Sequence, residues 1–352
     1  MAKKQERVDL LPMLKTQIKE GSPERLYFFY GEELFLLHYY LDKLRSAIID
    51  ELTESFNFHK LNNENFDIRD FADMVENLPM MAERTMVVVD DIDIFRLLDS
   101  DREKMVEIMS DIPEYCTVVF TFETVEWKPD KRITKLYNVV KQYGTEIEFA
   151  KQSQRDLITW VTRHFSANHK KISPDLCAYL IEITGGTMTA LASEISKICA
   201  FSGSDQIVKE DIDAVTEPVL DAVVFQMLDA LSQGKNSEAL KKLQQLLKMQ
   251  EEPLSILGSI GGHYRRLSGA KLLLDNGKNY ADYMRLYHVS SEFVAKKTMS
   301  AARACSVRFL TSVSALVLQT DRDIKTSLDA PDRLLELLVL RLAQEARNDK
   351  NP

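Results

Sequence analysis

Residues Thr85 to Val89 form an unbroken run of apolar and β-branched side chains, closed by the paired acids Asp90 and Asp91. A strand with no polar alternate face must be covered on both sides, which calls for a parallel sheet between layers of helices. Leu26-Tyr27-Phe28-Phe29-Tyr30 and Cys116-Thr117-Val118-Val119-Phe120-Thr121-Phe122 have the same character, and Phe56 to Leu61 and Gly144 to Phe149 read as weaker strands. Helical patterns lie between them at 34–53, 68–78, 102–109 and 130–143, after an opening helix at 10–20. Gly144 is read as the C-cap of the 130–143 helix. Strands alternating with helices over about 150 residues imply a doubly wound parallel sheet.

Strand signals stop after Phe149. Ser153 caps a helix to Ala167, and Ser173-Pro174-Asp175 opens a second. Two more run from Met188 to Ala200 and from Lys209 to Val215, making a small helical domain. Helical segments follow at 222–232, 236–248 and 253–275, a break at 276–279, then 291–302, 306–326 and 331–346. The last group reads as a bundle. The expected division is 1–149, 150–217 and 218–352.

The turn after the first strand is Gly31-Glu32-Glu33. In a nucleotide-binding domain it would be a phosphate loop, where several glycines expose backbone N–H groups and a lysine neutralises the phosphates. Here one glycine is followed by two glutamates and no lysine, so the turn repels a triphosphate. Val87 to Asp91 has the shape of a Walker B strand, whose acids hold Mg²⁺ on a nucleotide. Without a phosphate loop, Asp90 and Asp91 are expected to cap the next segment or to stand as relics. Gly31, Glu32, Glu33, Asp90 and Asp91 therefore read as a degenerate, non-functional nucleotide site.

Ahead of the Thr85 run lies Leu78-Pro79-Met80-Met81-Ala82-Glu83-Arg84, where a polar connection would be ordinary. The proline ends the preceding helix. Two readings of the methionines stand: they fold back into the core, or they are presented to another protein, a role that suits a flexible thioether.

The four cysteines never form a C-x-x-C pair and read as buried thiols, and His164 and His169 lack H-E-x-x-H spacing. No metal site and no cofactor is expected. No apolar run approaches the ~18 residues of a spanning helix, and the charged start Met1 to Arg7 leads into no signal-like apolar region, so a cytoplasmic protein is expected. Residues 1–130 carry 28 acidic and 15 basic side chains, whereas 235–308 carry 13 basic and 6 acidic. The acidic front repels phosphate; the basic stretch suits either a solvated helical surface or the neighbourhood of nucleic acid.

An α/β domain without a phosphate loop, a small helical lid and a helical bundle together resemble an AAA+ clamp-loader subunit. Particular segments resemble the delta-subunit family of bacterial DNA polymerase III: Tyr27 to Glu33, Leu78 to Arg84, Phe293 to Lys297, Asp323 to Thr326 and Arg333 to Arg341, in order along the chain. The resemblance implies an AAA+-like parallel αβα domain, a lid and a C-terminal collar that joins the ATPase subunits and delta-prime in a hetero-pentameric ring. It implies that Met80 and Met81, supported by Leu78, form a hydrophobic plug that enters the sliding clamp (beta) and springs it open for loading on primed DNA during replication. It further implies no bond-breaking site in this chain, although the holoenzyme is a nucleotidyltransferase, and a place in the cytoplasm at the nucleoid's replication forks. The Ser-Arg-Cys arginine-finger motif of partner subunits is absent. The rival readings are an active AAA+ ATPase motor, which the missing phosphate loop opposes, and a helical scaffold outside replication, which would not bind a clamp.

Overall fold

The computed structural model describes residues 10–289 and 292–350. Residues 1–9, Ser290 and Ser291, the last two residues, and the side chains of Phe293 and Lys350 lie outside that description. The chain divides between Lys151 and Gln152 into two compact units.

The first unit opens with α1 (Leu11–Glu20), stopped by Gly21 in the left-handed conformation. Then come β1 (Leu26–Tyr30), α2 (Leu34–Ile48), α3 (Glu54–Asn57), β2 (Phe58–Leu61) and α4 (Ile68–Glu76). The remainder is β3 (Thr85–Asp90), α5 (Asp99–Ser110), β4 (Cys116–Phe122), α6 (Thr134–Tyr143) and β5 (Thr145–Glu148). The strands form one parallel sheet in the order β2-β3-β4-β1-β5. Alternation along the strands sends side chains to two cores. Phe28, Val87, Val89, Val118 and Phe120 pack with Phe71, Met105 and Leu136 from α4, α5 and α6. Tyr27, Phe29, Met86, Val88, Val119 and Ile147 pack with Leu14, Leu37 and Leu44 from α1 and α2. The Thr85 run is thus buried on both faces, as its composition requires.

Two local expectations change. The helix expected over 34–53 ends at Ile48, because the Asp50 carboxylate accepts from the Leu52 N–H and turns the chain. Phe56 and Asn57 belong to the short α3, not to β2. Gly144 is the C-cap of α6 as expected, in extended backbone at φ −88°, and a Cβ there would lie 2.5 Å from the Phe28 ring.

The second unit is helical throughout its named elements. It begins with α7 (Gln154–Ala167), α8 (Pro174–Ile183), α9 (Met188–Phe201) and α10 (Lys209–Val215). The side chains of Ser153, Ser173 and Thr187 cap the first three. Then follow α11 (Leu220–Ser232), α12 (Asn236–Lys248), α13 (Pro253–Asp275), α14 (Tyr280–Tyr287), α15 (Glu292–Arg303), α16 (Val307–Thr326) and α17 (Pro331–Lys350). Their core joins Met227, Leu243, Ile260, Leu267, Val313 and Leu338. Helix α14 was not expected from the sequence. An Asn279–Asp282 capping box starts it, and Tyr283 is its buried anchor, stacked on Tyr287 at 4.7 Å between ring centroids.

Candidate functional site

The residues singled out in the first unit fall at opposite edges of the sheet. Because every strand is parallel, Gly31 and Asp90 lie at the carboxyl edge, after β1 and at the end of β3, whereas Leu78, Met80 and Met81 lie before β3, at the amino edge. The structure therefore separates the two groups.

At the carboxyl edge the polar groups, Glu32 apart, are engaged by the fold itself. Gly31 adopts φ +131°, and a Cβ there would stand 2.3 Å from the carbonyl oxygen of Phe149. That carbonyl accepts the Glu33 N–H at 3.0 Å, while the Phe149 N–H donates to Tyr30 at 2.7 Å. A backbone N–H of the kind that a phosphate loop offers to its ligand is thus bonded to the chain. Burial raises the pKa of the Glu33 carboxyl, against the Phe35 N–H and the Lys151 charge, which favour its ionised form. Glu32 is exposed. Asp90 accepts from the Thr121 hydroxyl at 2.6 Å and pairs with the Lys60 ammonium at 2.6 Å.

Asp91 sits at φ +54° and does not cap the segment that follows it. Its carboxylate instead accepts from the backbone N–H groups of Glu123, Thr124 and Val125 and from the Thr124 hydroxyl, at 2.7 to 3.2 Å. Desolvation raises its pKa, but these donors more than offset that and hold the carboxyl below its ordinary value. Both acids thus brace the end of β4 and its loop. Among the described residues, no group of three or more His, Cys, Asp or Glu is placed to hold a metal ion.

At the amino edge the connection from α4 to β3 is anchored at both ends. The Tyr115 hydroxyl donates to the Glu76 carbonyl at 2.8 Å, and the Arg84 guanidinium to the Glu114 carbonyl at 3.2 Å. In between, Leu78 is 77% exposed, Met80 53% and Met81 91%. Met81 adopts φ +54°, a left-handed conformation uncommon for a side chain of its kind. The methionines are not packed beneath the sheet. Burial of each against another surface would stabilise a complex by roughly 1.5–3 kcal/mol before ordering costs.

Sequence reasoning missed Asn57. Its side chain is fully buried, donating to the Thr53 carbonyl at 3.1 Å and bonding both the N–H and the C=O of Met80, at 2.7 and 2.9 Å. Asn57 falls at a polar position of the alternating Phe56–Leu61 run, so the sequence carried no signal of its role.

Two family models match this chain. One, described as DNA polymerase III, delta subunit, covers residues 27–149; the other, the C-terminal domain of the DNA polymerase III delta subunit, covers 221–342. The chain belongs to the DNA polymerase III delta-subunit family. Within that family it is 25% identical over 343 residues to DNA polymerase III subunit delta of Bacillus subtilis, spanning 95% of this chain and 96% of the relative. It is 20% identical over 340 residues to the probable subunit delta of Aquifex aeolicus, spanning 94% and 95%. The solved Bacillus subtilis DNA clamp loader delta protein superposes with a TM-score of 0.66 at 21% identity, covering 94% of this chain and 99% of that one. The fold is therefore that of a clamp-loader delta protein: a parallel α/β unit followed by helices.

Proposed function

We propose that this chain is the clamp-binding subunit of a bacterial DNA polymerase III clamp loader, and that Met80 and Met81, supported by Leu78, are the plug that enters the sliding clamp. The observation that carries this reading is the exposure of all three side chains on a loop whose ends are anchored. An apolar tip on a firm base suits entry into a preformed pocket, because the side chains gain burial while little backbone order is lost. The plug opens one clamp interface so that the ring loads on primed DNA, while ATP is bound and hydrolysed by partner subunits.

On this reading the chain performs no bond-breaking step. Gly31, Glu32, Glu33, Asp90 and Asp91 are a nucleotide site in outline only: Glu32 is exposed, and polar groups of Glu33, Asp90 and Asp91 are engaged by Phe149, Thr121, Lys60 and the 123–125 loop. The α/β domain (1–149) contacts the clamp, the lid (150–217) follows, and the bundle (218–352) joins the ATPase subunits and delta-prime in a five-membered collar. The subunit works in the cytoplasm, at replication forks.

A pull-down with the sliding clamp of the same source, comparing wild type with Met80→Ala/Met81→Ala, tests the proposal. Loss of clamp capture with unchanged circular dichroism and melting is expected. Equal capture by both proteins overturns it, and loss of folding would assign the pair to the core.

A further inference from the structure

We infer that Asn57 is a positioning residue of the plug: its buried carboxamide fixes the backbone of Met80 and so holds the methionine tip in its presented conformation before any partner arrives. This rests on the reading of Met80 and Met81 as the clamp plug and adds how that plug is kept ready.

The geometry is specific. A carboxamide has an acceptor and a two-proton donor side by side, and Asn57 sets them against the C=O and N–H of one residue, 23 positions along the chain. The contact works like a single rung of a strand ladder made by a side chain. Its second donor proton goes to the Thr53 carbonyl, so the amide is tied to the turn ahead of β2 and not only to the loop. Among the described residues, these are the bonds that the backbone from Leu78 to Glu83 makes with the rest of the unit. The helix end at Glu76 and the side chain of Arg84 are held separately. Without Asn57 the six-residue span would be tethered at its ends only, and Met81 has no local reason to stay left-handed. Full burial of Asn57 also removes water as a competitor for both bonds.

Ordering a loop on binding costs affinity that a preformed loop keeps. Asn57→Ala is therefore expected to weaken clamp binding about tenfold, measured as Kd by calorimetry on the full chain, beside Met80→Ala/Met81→Ala. Amide hydrogen exchange supplies the readout that a general structural role would not move. In the wild type the Met80 N–H exchanges more slowly than those of Met81 and Ala82. In Asn57→Ala that protection disappears, while Val87 to Val89 in β3 stay protected.

If the methionine double variant loses the clamp but Asn57→Ala binds as wild type does, the positioning role is wrong and the plug stands. If the double variant binds normally, the plug reading falls and takes this inference with it. Weakened binding with Met80 protection unchanged also overturns it. Should Asn57→Ala not fold, wild-type exchange decides: an unprotected Met80 N–H sinks the inference, and selective protection of Met80 sustains it.

Discussion

Gly31 passes so close beneath Phe149 that a methyl group on its Cα would lie 2.3 Å from the Phe149 carbonyl oxygen. This contact joins the turn after β1 to the segment after β5, at the carboxyl edge of the sheet.

Gly31→Ala is expected to destabilise the first unit by more than about 2 kcal/mol, since the obstacle is backbone and φ +131° is strained for any L side chain. Urea unfolding followed by far-UV circular dichroism measures it. A variant as stable as wild type would mean that the turn relaxes freely.

Nucleotide binding at this edge would be seen by Trp127, which stacks on Phe28 at 4.5 Å and donates to Glu146 at 3.0 Å. In a Trp160→Phe background, millimolar MgATP is expected to leave Trp127 fluorescence and the melting temperature unchanged. A saturable change in either would revive an ATP site.

Met81 carries a left-handed backbone at an exposed tip. Met81→Gly should leave the free protein within about 1 kcal/mol of wild type, because relief of strain and the greater freedom of the unfolded chain offset each other. Met81→Val should cost about 1 kcal/mol or more, as a branched Cβ tolerates positive φ poorly. Thermal unfolding of the pair checks the order.

Asp91 links stability to acid. Its carboxyl lies below the ordinary 3.8 in the folded protein, so its contribution is complete above that pH and is lost as pH falls through the lower folded value. Asp91→Ala should lower stability by about 1–3 kcal/mol at pH 7, since the loop N–H groups lose a charged acceptor. It should also flatten the decline below pH 3.8. An unchanged acid limb would show that another group governs it.

His263 in α13 works over a different range. Burial, with the Arg266 charge adding to it, pushes its imidazole down from 6.5 to about 4. The unfolded chain therefore takes up a proton that the folded bundle refuses, and stability declines as pH drops from 6.5 toward 4. The loss is on the order of 2–3 kcal/mol. His263→Phe, facing Phe225 at 5.7 Å, should remove this slope in pH-dependent denaturation.

Strands β1, β3 and β4 were legible in the sequence because each is an apolar run that only a doubly covered sheet accommodates, and the helix starts at Ser153 and Ser173 were legible because a cap is a local event. The methionine pair stood out for the same reason, as two apolar residues where a polar turn belongs. Tertiary structure alone decided the strand order, the separation of the Gly31 turn and the methionine loop to opposite edges, the use of Asp91 on the 123–125 loop, and the grip of Asn57 on Met80. Each depends on partners 20 to 120 residues apart, brought together by hydrogen bonds and close approaches that leave no periodic trace along the chain. Local patterns reveal what a segment must bury, whereas its neighbours across the fold determine which polar group it meets.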